Sequence, residues 1–239
     1  MVISDYKLGI FCPLFKGGDF ITGYLENVIE QTIFNNVNFY VLDCASPDDE
    51  FQVIKNFSSK YSNIKYKRYP EKIPVYKAWN ICIDWVDEPI IGNWNVDDRK
   101  TPWSLECLLN SMMLNPDLDL VYGKTIVSKI ANERWDQCSS KEIYPCLPHS
   151  FGNLLANNSP HCMPIWKKSL HDKFGLFNEE YMTASDTDMW LRACKGGANM
   201  KMVNEIVGIY YENPNGISTN KEKLNEMIKE VISVRNQYR

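Results

Sequence analysis

Two adjacent carboxylates, Asp97 and Asp98, sit in the run NWNVDDRKTPW directly behind the apolar stretch EPIIG, and a third acid, Asp186, opens the later run SDTDMWLRACKGG. Side-by-side carboxylates repel, and sharing one site raises the pKa of one of them unless a cation lies close by. A divalent ion would supply that cation. Carboxylate, diphosphate and water oxygens suit Mg2+ or Mn2+, which are often held by one or two protein carboxylates plus the phosphates of a substrate. Neighbouring side chains on a strand point to opposite faces, so Asp97 and Asp98 are expected to divide the labour, one toward metal and one toward a ribose hydroxyl. The plainer alternative is a solvated turn in which either acid pairs with Arg99 or Lys100. Asp186 falls in the first turn of an expected helix, where free backbone N–H groups and the helix dipole favour the ionised form that a base requires. The plainer reading there is that Asp186 only complements the dipole while Ser185 caps the helix and Asp188 completes a capping box.

The elements that must position these acids follow from the apolar pattern. Short β-prone runs predict strands at 8–12 (LGIFC), 38–42 (NFYVL), 64–68 (IKYKR) and 89–94 (PIIGNW). Between them, Leu25, Val28 and Ile29, then Phe51, Ile54 and Phe57, then Ala78, Trp79, Cys82, Ile83 and Val86 behind Pro74 recur at helical spacing. That alternation predicts an α/β domain with a mostly parallel, twisted sheet flanked by helices. Thr101 as N-cap, Pro102 at the first helical position and Pro116 at the end bound a further helix. LDLVYGKTIVS reads as a strand, residues 131–160 as loop, and 185–197 as a helix closed by Gly196 and Gly197. Residues 220–239 carry Leu224, Met227, Ile228 and Val231 on one face of an amphipathic helix, expected to dock on the core, with a partner or membrane-surface contact as the alternative.

In an open parallel sheet, ligands collect at the carboxyl ends of the strands. The first strand ends at Pro13, Leu14 and Phe15, the second at Asp43, Cys44, Ala45 and Ser46, and the fourth at Asn95 to Asp98, so all three are expected to face one crevice. The formal charge of -4 lacks the basic excess of a protein that grips a nucleic-acid backbone, and KYKR at 65–68 reads as a strand edge guarded by lysine. No run approaches the roughly 18 apolar residues of a membrane span, and the N-terminus shows no leader pattern, so a cytoplasmic location is expected. The eight cysteines include no C-x-x-C pair, which argues against a zinc site or a disulfide framework.

The runs YVLDCASPDD, YKAWNICIDWVDEPIIGNWNVDDRKTP and KFGLFNEEYMTASDTDMWLRACKGG, in that order and spacing, resemble the successive blocks of family 2 glycosyltransferases, the inverting enzymes of the GT-A fold. The resemblance covers roughly residues 6–216 and is nearest to bacterial and phage polysaccharide enzymes. It implies a single GT-A domain over 1–216, with a nucleotide-sugar half at about 1–100 and an acceptor half at about 101–216, followed by the helix within 217–239. It also implies transfer of a sugar from a nucleotide diphosphate sugar, a UDP-sugar by preference, to a glycan or other hydroxyl acceptor, with Mn2+ or Mg2+ as cofactor. Phe15 matches the ring that stacks on the base, with Pro13 beside it. Asp43 matches the acid that contacts the base, Asp97 and Asp98 match the D-x-D-type acids, and Asp186 matches the catalytic base. His161, Ser185 and Asn213 fall at positions expected on the acceptor side.

Four residues depart from the family pattern. Cys44 stands where many members carry a second acid, which bears on the uridine preference; Asn95 replaces a third acid in the D-x-D block; and Ser185 replaces a glutamate. Asn213 replaces a histidine that helps hold metal or diphosphate, and it offers one neutral oxygen in its place. Two other functions fit adjacent acids on such a sheet: a metal-dependent nucleotidyltransferase, for which CPLFKGGDF supplies only Lys16, Gly17 and Gly18 as a phosphate loop, and a non-catalytic nucleotide- or glycan-binding module. Sugar, linkage and oligomeric state have no signature in the pattern.

Overall fold

The computed structural model describes residues 7–219 and 221–239. Residues 1–6 and Asn220, where the expected tail helix begins, lie outside the described residues. The first half alternates β1 (Leu8–Leu14), α1 (Ile21–Ile29), β2 (Val37–Cys44), α2 (Glu50–Ser58), β3 (Ile64–Tyr69), α3 (Val75–Trp85) and β4 (Ile90–Asn93). The second half continues with β5 (Arg99–Lys100), α4 (Ser104–Leu114), β6 (Leu120–Ser128), α5 (Phe151–Ala156), β7 (Ile165–Lys167), α6 (Leu170–Phe174), α7 (Ser185–Lys195), β8 (Met200–Tyr211) and α8 (Leu224–Asn236).

All eight strands join one sheet in the order β3-β2-β1-β4-β7-β6-β8-β5. The strands β1 to β4 pair in parallel, as the alternation of elements predicts. Beyond β4 the sheet is mixed: β7 runs antiparallel to both β4 and β6, β8 runs parallel to β6, and β5 runs antiparallel to β8. Helices cover both faces of β1, which explains why its residues are nearly all buried and its sequence shows no polar alternation. Leu8, Ile10, Cys12 and Leu14 point into one core with α1 and α4, while Phe11 points into the other with α3 and α7. β3 is an edge strand, and its Lys65 and Lys67 lie over the rings of Tyr40 and Trp85.

Three boundaries differ from expectation. α4 starts at Ser104, not after a Thr101 cap, because Thr101 is drawn into the sheet edge: its N–H donates to Val207 O at 3.1 Å and its hydroxyl to Ile206 O at 3.3 Å. The segment 131–160 includes α5, capped by Ser150, whose hydroxyl accepts the Asn153 N–H at 3.0 Å. In α8 the buried seam runs through Met227 and Val234 with Val231 packed beside it, whereas Leu224 and Ile228 of the expected face are about half exposed.

Candidate active site

The carboxyl ends of β1, β2 and β4 meet as expected, and each carries an acid or a ring. At the end of β2, Asp43 is fully buried. One of its oxygens accepts the Ser46 N–H at 2.8 Å, and the other accepts the Tyr66 hydroxyl at 2.8 Å and an ion pair from Arg68. The next residue but one, Ala45, takes a left-handed backbone at φ 57°, a conformation costly for a residue with a Cβ, which turns the chain so that Ser46 can reach back to Asp43. Arg68, the partner of the buried Asp43, has a side chain that is itself half exposed. Cys44 is buried and turns its thiol toward Leu42 O. At the end of β1, Pro13 and Phe15 are half-buried, and Lys72 Nζ stands 4.5 Å from the centre of the Phe15 ring.

The acids behind β4 are held differently. Residues 94–98 form a tight turn closed by Asp98 N–H on Asn95 O, and β5 then carries the chain antiparallel to β8. That approach needs Gly208, because a Cβ there would lie 2.5 Å from Arg99 O. Asp98 is buried, accepting the Tyr211 N–H and the Asn95 amide, each at 3.1 Å. Burial, with Asp97 alongside, pushes its pKa up to about 8. Asp97 is only half-buried and accepts the Asn213 amide at 2.9 Å. Neither acid pairs with Arg99 or Lys100, so the solvated-turn reading does not hold: the Arg99 guanidinium donates to the backbone oxygens of Val96 and Asp98. Lys100 points inward over Trp94, its Nζ buried with no hydrogen-bond partner among the described residues, and burial draws its pKa down to about 8.

Asn213 presents the opposite chemistry to the one expected. Its oxygen accepts the Asn215 N–H at 3.0 Å, so its amide nitrogen, not its oxygen, faces Asp97. It stands beside Asp97.

Asp186 lies in the first turn of α7, half-buried. Oδ1 accepts the Thr187 N–H at 2.7 Å and the Tyr76 hydroxyl at 3.3 Å, and Oδ2 accepts the Asn158 amide at 2.7 Å. Burial raises its pKa above the usual aspartate value, and these hydrogen bonds oppose the rise. The expected capping box is absent. Ala184 occupies the cap position, the Ser185 hydroxyl is buried without a hydrogen-bond partner among the described residues, and Asp188 pairs with Arg192 and takes the Tyr238 hydroxyl at 2.6 Å. Edge-to-face contacts anchor α7, with Trp190 5.2 Å from Trp166 and 5.7 Å from Phe177, which in turn meets Trp79 of α3 at 5.0 Å. Such pairs contribute about 0.5–1.5 kcal/mol each beyond their burial.

Three rings, Tyr144, His161 and Tyr210, pack into an aromatic wall. His161 stacks on Tyr144 at 3.6 Å and meets Tyr210 edge-on at 4.6 Å. The charge of Asp186 is felt at Tyr144, and the charges of Asp98 and Asp97 are felt at Tyr210, whose pKa rises to about 12 mainly through burial. His161 has a left-handed backbone at φ 47° and a buried, unpartnered Nδ1, and burial draws its pKa down to about 3, so it serves as a neutral ring in this wall. Tyr76, Tyr144, Asn158, Tyr210 and Arg68 were not identified from the sequence. Arg68 belongs to the KYKR run read as a strand edge and Asn158 to the segment 131–160 read as loop, and neither reading marks it as a site residue.

The loop after β1 argues against a phosphate cradle. The Lys16 N–H donates to Ser46 Oγ at 2.8 Å, the Gly17 N–H to Glu50 Oε1 at 2.8 Å and the Gly18 N–H to Asp48 Oδ2 at 3.2 Å, so a hydroxyl and two acids occupy the donors a nucleotidyltransferase would turn to phosphate. Among the described residues no three His, Cys, Asp or Glu side chains gather into a protein-only metal cage.

Comparison with solved structures gives the same architecture. TarS 1-349 from S. aureus in complex with UDP-GlcNAc superposes with a TM-score of 0.75 at 16% identity, over 95% of this chain and 66% of that one. TarS 1-349 in complex with UDP gives 0.72 at 17%, over 95% and 65%. Mannosyltransferase PcManGT from Pyrobaculum calidifontis, in complex with GDP-Man and Mn2+, gives 0.71 at 13%, over 96% and 64%. The chain thus spans about two thirds of the length of these structures. No curated protein matches the sequence. The family profile described as glycosyl transferase family 2 matches residues 10–174, well over half of the chain. With the mixed sheet and the acids gathered at its carboxyl edge, this match shows that the chain belongs to glycosyl transferase family 2 and has the GT-A fold.

Proposed function

We propose that this chain transfers a sugar from a nucleotide diphosphate sugar to an acceptor hydroxyl with inversion, in the synthesis of a polysaccharide or other glycan. The observation that carries the proposal is the setting of Asp186: a carboxylate of raised basicity, oriented by three hydrogen bonds in the first turn of α7. Phe15 and Pro13 would flank the base, the Arg68–Asp43 pair would contact its polar edge, and Asp97 would lie nearest the ribose and diphosphate. Asp186 takes the proton of the acceptor hydroxyl as its oxygen bonds to the anomeric carbon, and the bond from that carbon to the diphosphate oxygen breaks on the opposite face. The nucleoside diphosphate leaves with the electron pair.

The residues present fit a divalent cation. Asp98 is a buried carboxylate that burial and Asp97 push toward the protonated form, and a cation beside the pair would reverse that cost. Asp97 and Asp98 would hold Mn2+ or Mg2+, which when bound would neutralise charge on the departing diphosphate. Complexes of similar folds with UDP, UDP-GlcNAc and GDP-Man, one of them with Mn2+, support this choice of ligands. No helix among the described residues is long and apolar enough to cross a membrane.

The test is donor hydrolysis without acceptor, with UDP-GlcNAc and GDP-mannose as probes and Mn2+ present. The expected result is release of a nucleoside diphosphate and, by NMR, first appearance of the inverted free sugar. Release of pyrophosphate, or of the retained anomer, would overturn the proposal.

A further inference from the structure

We infer that Glu230, on the C-terminal helix α8, is a positioning residue for the base, acting on the three residues that lead into α7. Its carboxylate accepts the N–H groups of Met182 and Thr183 at 2.7 Å each and of Ala184 at 2.9 Å, and also the Thr183 hydroxyl at 3.1 Å. Three consecutive backbone donors turned to one carboxylate fix the path of the chain, since each charge-assisted bond of this kind is worth more than a neutral one. The same residue is clamped from the other side, where the Tyr76 hydroxyl donates to Thr183 O at 2.9 Å and reaches Asp186 Oδ1 at 3.3 Å.

α8 also grips the far side of the turn. Tyr238, just beyond its end, donates to Asp188 Oδ1 at 2.6 Å. Asp186 thus lies between two points, Ala184 and Asp188, that are both tied to the C-terminal segment. The α7 helix has no side-chain cap bond of its own, and Glu230 instead holds the N–H of the N-cap residue Ala184 and of the two residues before it, fixing how the chain enters the helix. The segment that looks like an appended amphipathic helix is on this account part of the catalytic apparatus, although Glu230 itself touches neither donor nor acceptor.

The inference rests on the reading of Asp186 as base, and the experiment separates the two. Donor hydrolysis and donor binding are measured on the full chain for E230Q, D186N and E226Q, with UDP-GlcNAc and GDP-mannose as probes in the presence of Mn2+. Gln keeps one acceptor oxygen but turns an amide N–H against the remaining backbone donors. E230Q is expected to lower kcat at least about tenfold while the donor Kd stays within about twofold, the signature of a misplaced catalytic group. E226Q, an exposed position one turn earlier, is expected to match wild type. If E230Q matches wild type while D186N is silent, the positioning role is wrong and the base stands. If D186N retains turnover, both are wrong. A parallel fall in kcat and in donor affinity would assign Glu230 to general stability and overturn the inference. Should E230Q fail to fold, T183V, which removes one bond to the same carboxylate, carries the test, with a kcat-only loss supporting the role and unchanged kcat refuting it.

Discussion

The acids at the ends of β2 and β4 flank the same central strand, yet their surroundings are opposite. Asp43 is buried and answered within the protein by a backbone N–H, a phenol and a guanidinium. Asp98 is equally buried but has another acid beside it, two neutral donors and a buried lysine whose Nζ has no hydrogen-bond partner among the described residues. The first region is electrostatically complete and is built to hold a shape. The second leaves both carboxylates without an ion pair among the described residues although Arg99 and Lys100 are near, a deficit that the proposed ligand and its counterion would fill.

The comparison can be broken at several points. The largest effect is expected from replacing both Asp97 and Asp98 by Asn, which should lower donor turnover at least about 10²-fold, the scale for loss of preorganised charge stabilisation of a leaving group. Turnover that persists and ignores Mn2+ would show that the deficit has no catalytic meaning. Next, Asp43→Ala orphans the Ser46 N–H and the Tyr66 hydroxyl, for a loss of about 2–3 kcal/mol and a Tm lower by about 5–10 °C. A smaller effect is expected at Phe15→Ala, where loss of a stacking face should weaken UDP binding about 5–30-fold by calorimetry.

The smallest effect is also the sharpest. Asp98→Asn should stabilise the metal-free protein, by about 1 kcal/mol or about 2–4 °C in Tm at pH 8, and abolish its thermal response to Mn2+. The sign follows from the raised pKa. The folded state favours protonated Asp98, so its contribution is fully present below the unfolded value near 4 and is lost as pH rises toward about 8. The advantage of the Asn variant should therefore be absent at pH 4, grow between pH 4 and 8, and level off above. An advantage that shrinks with rising pH would contradict the account.

The two halves of the chain differ in how openly the sequence declares them. β1 to β4 are short, apolar and separated by helices of clear period, so local pattern alone locates them, and the acids at their ends follow from strand polarity. β5 and β7 have only two and three residues, too few to show a period, and the first half of β8 has polar and exposed positions that no burial pattern marks. The site residues divide in the same way. Asp97, Asp98 and Asp186 stand out by type and neighbours, whereas Tyr76, Tyr144 and Glu230 are ordinary in their segments and gain a role only through partners distant in the chain: Tyr76 at Asp186, Tyr144 at His161 and Tyr210, and Glu230 at Met182, Thr183 and Ala184. Asn213 shows the limit of residue type, since its oxygen was taken by a local turn and its nitrogen faces the site.

The most direct test of the central claim is Asp186→Asn, assayed for nucleoside diphosphate release with donor saturating and for donor affinity in the same preparation. A positioned base accounts for about 10²–10⁴-fold, so release should fall by that factor while the donor Kd is unchanged. Wild-type release from the Asn variant would contradict the assignment of the base, and with it the reading of this crevice as the place where the sugar is transferred.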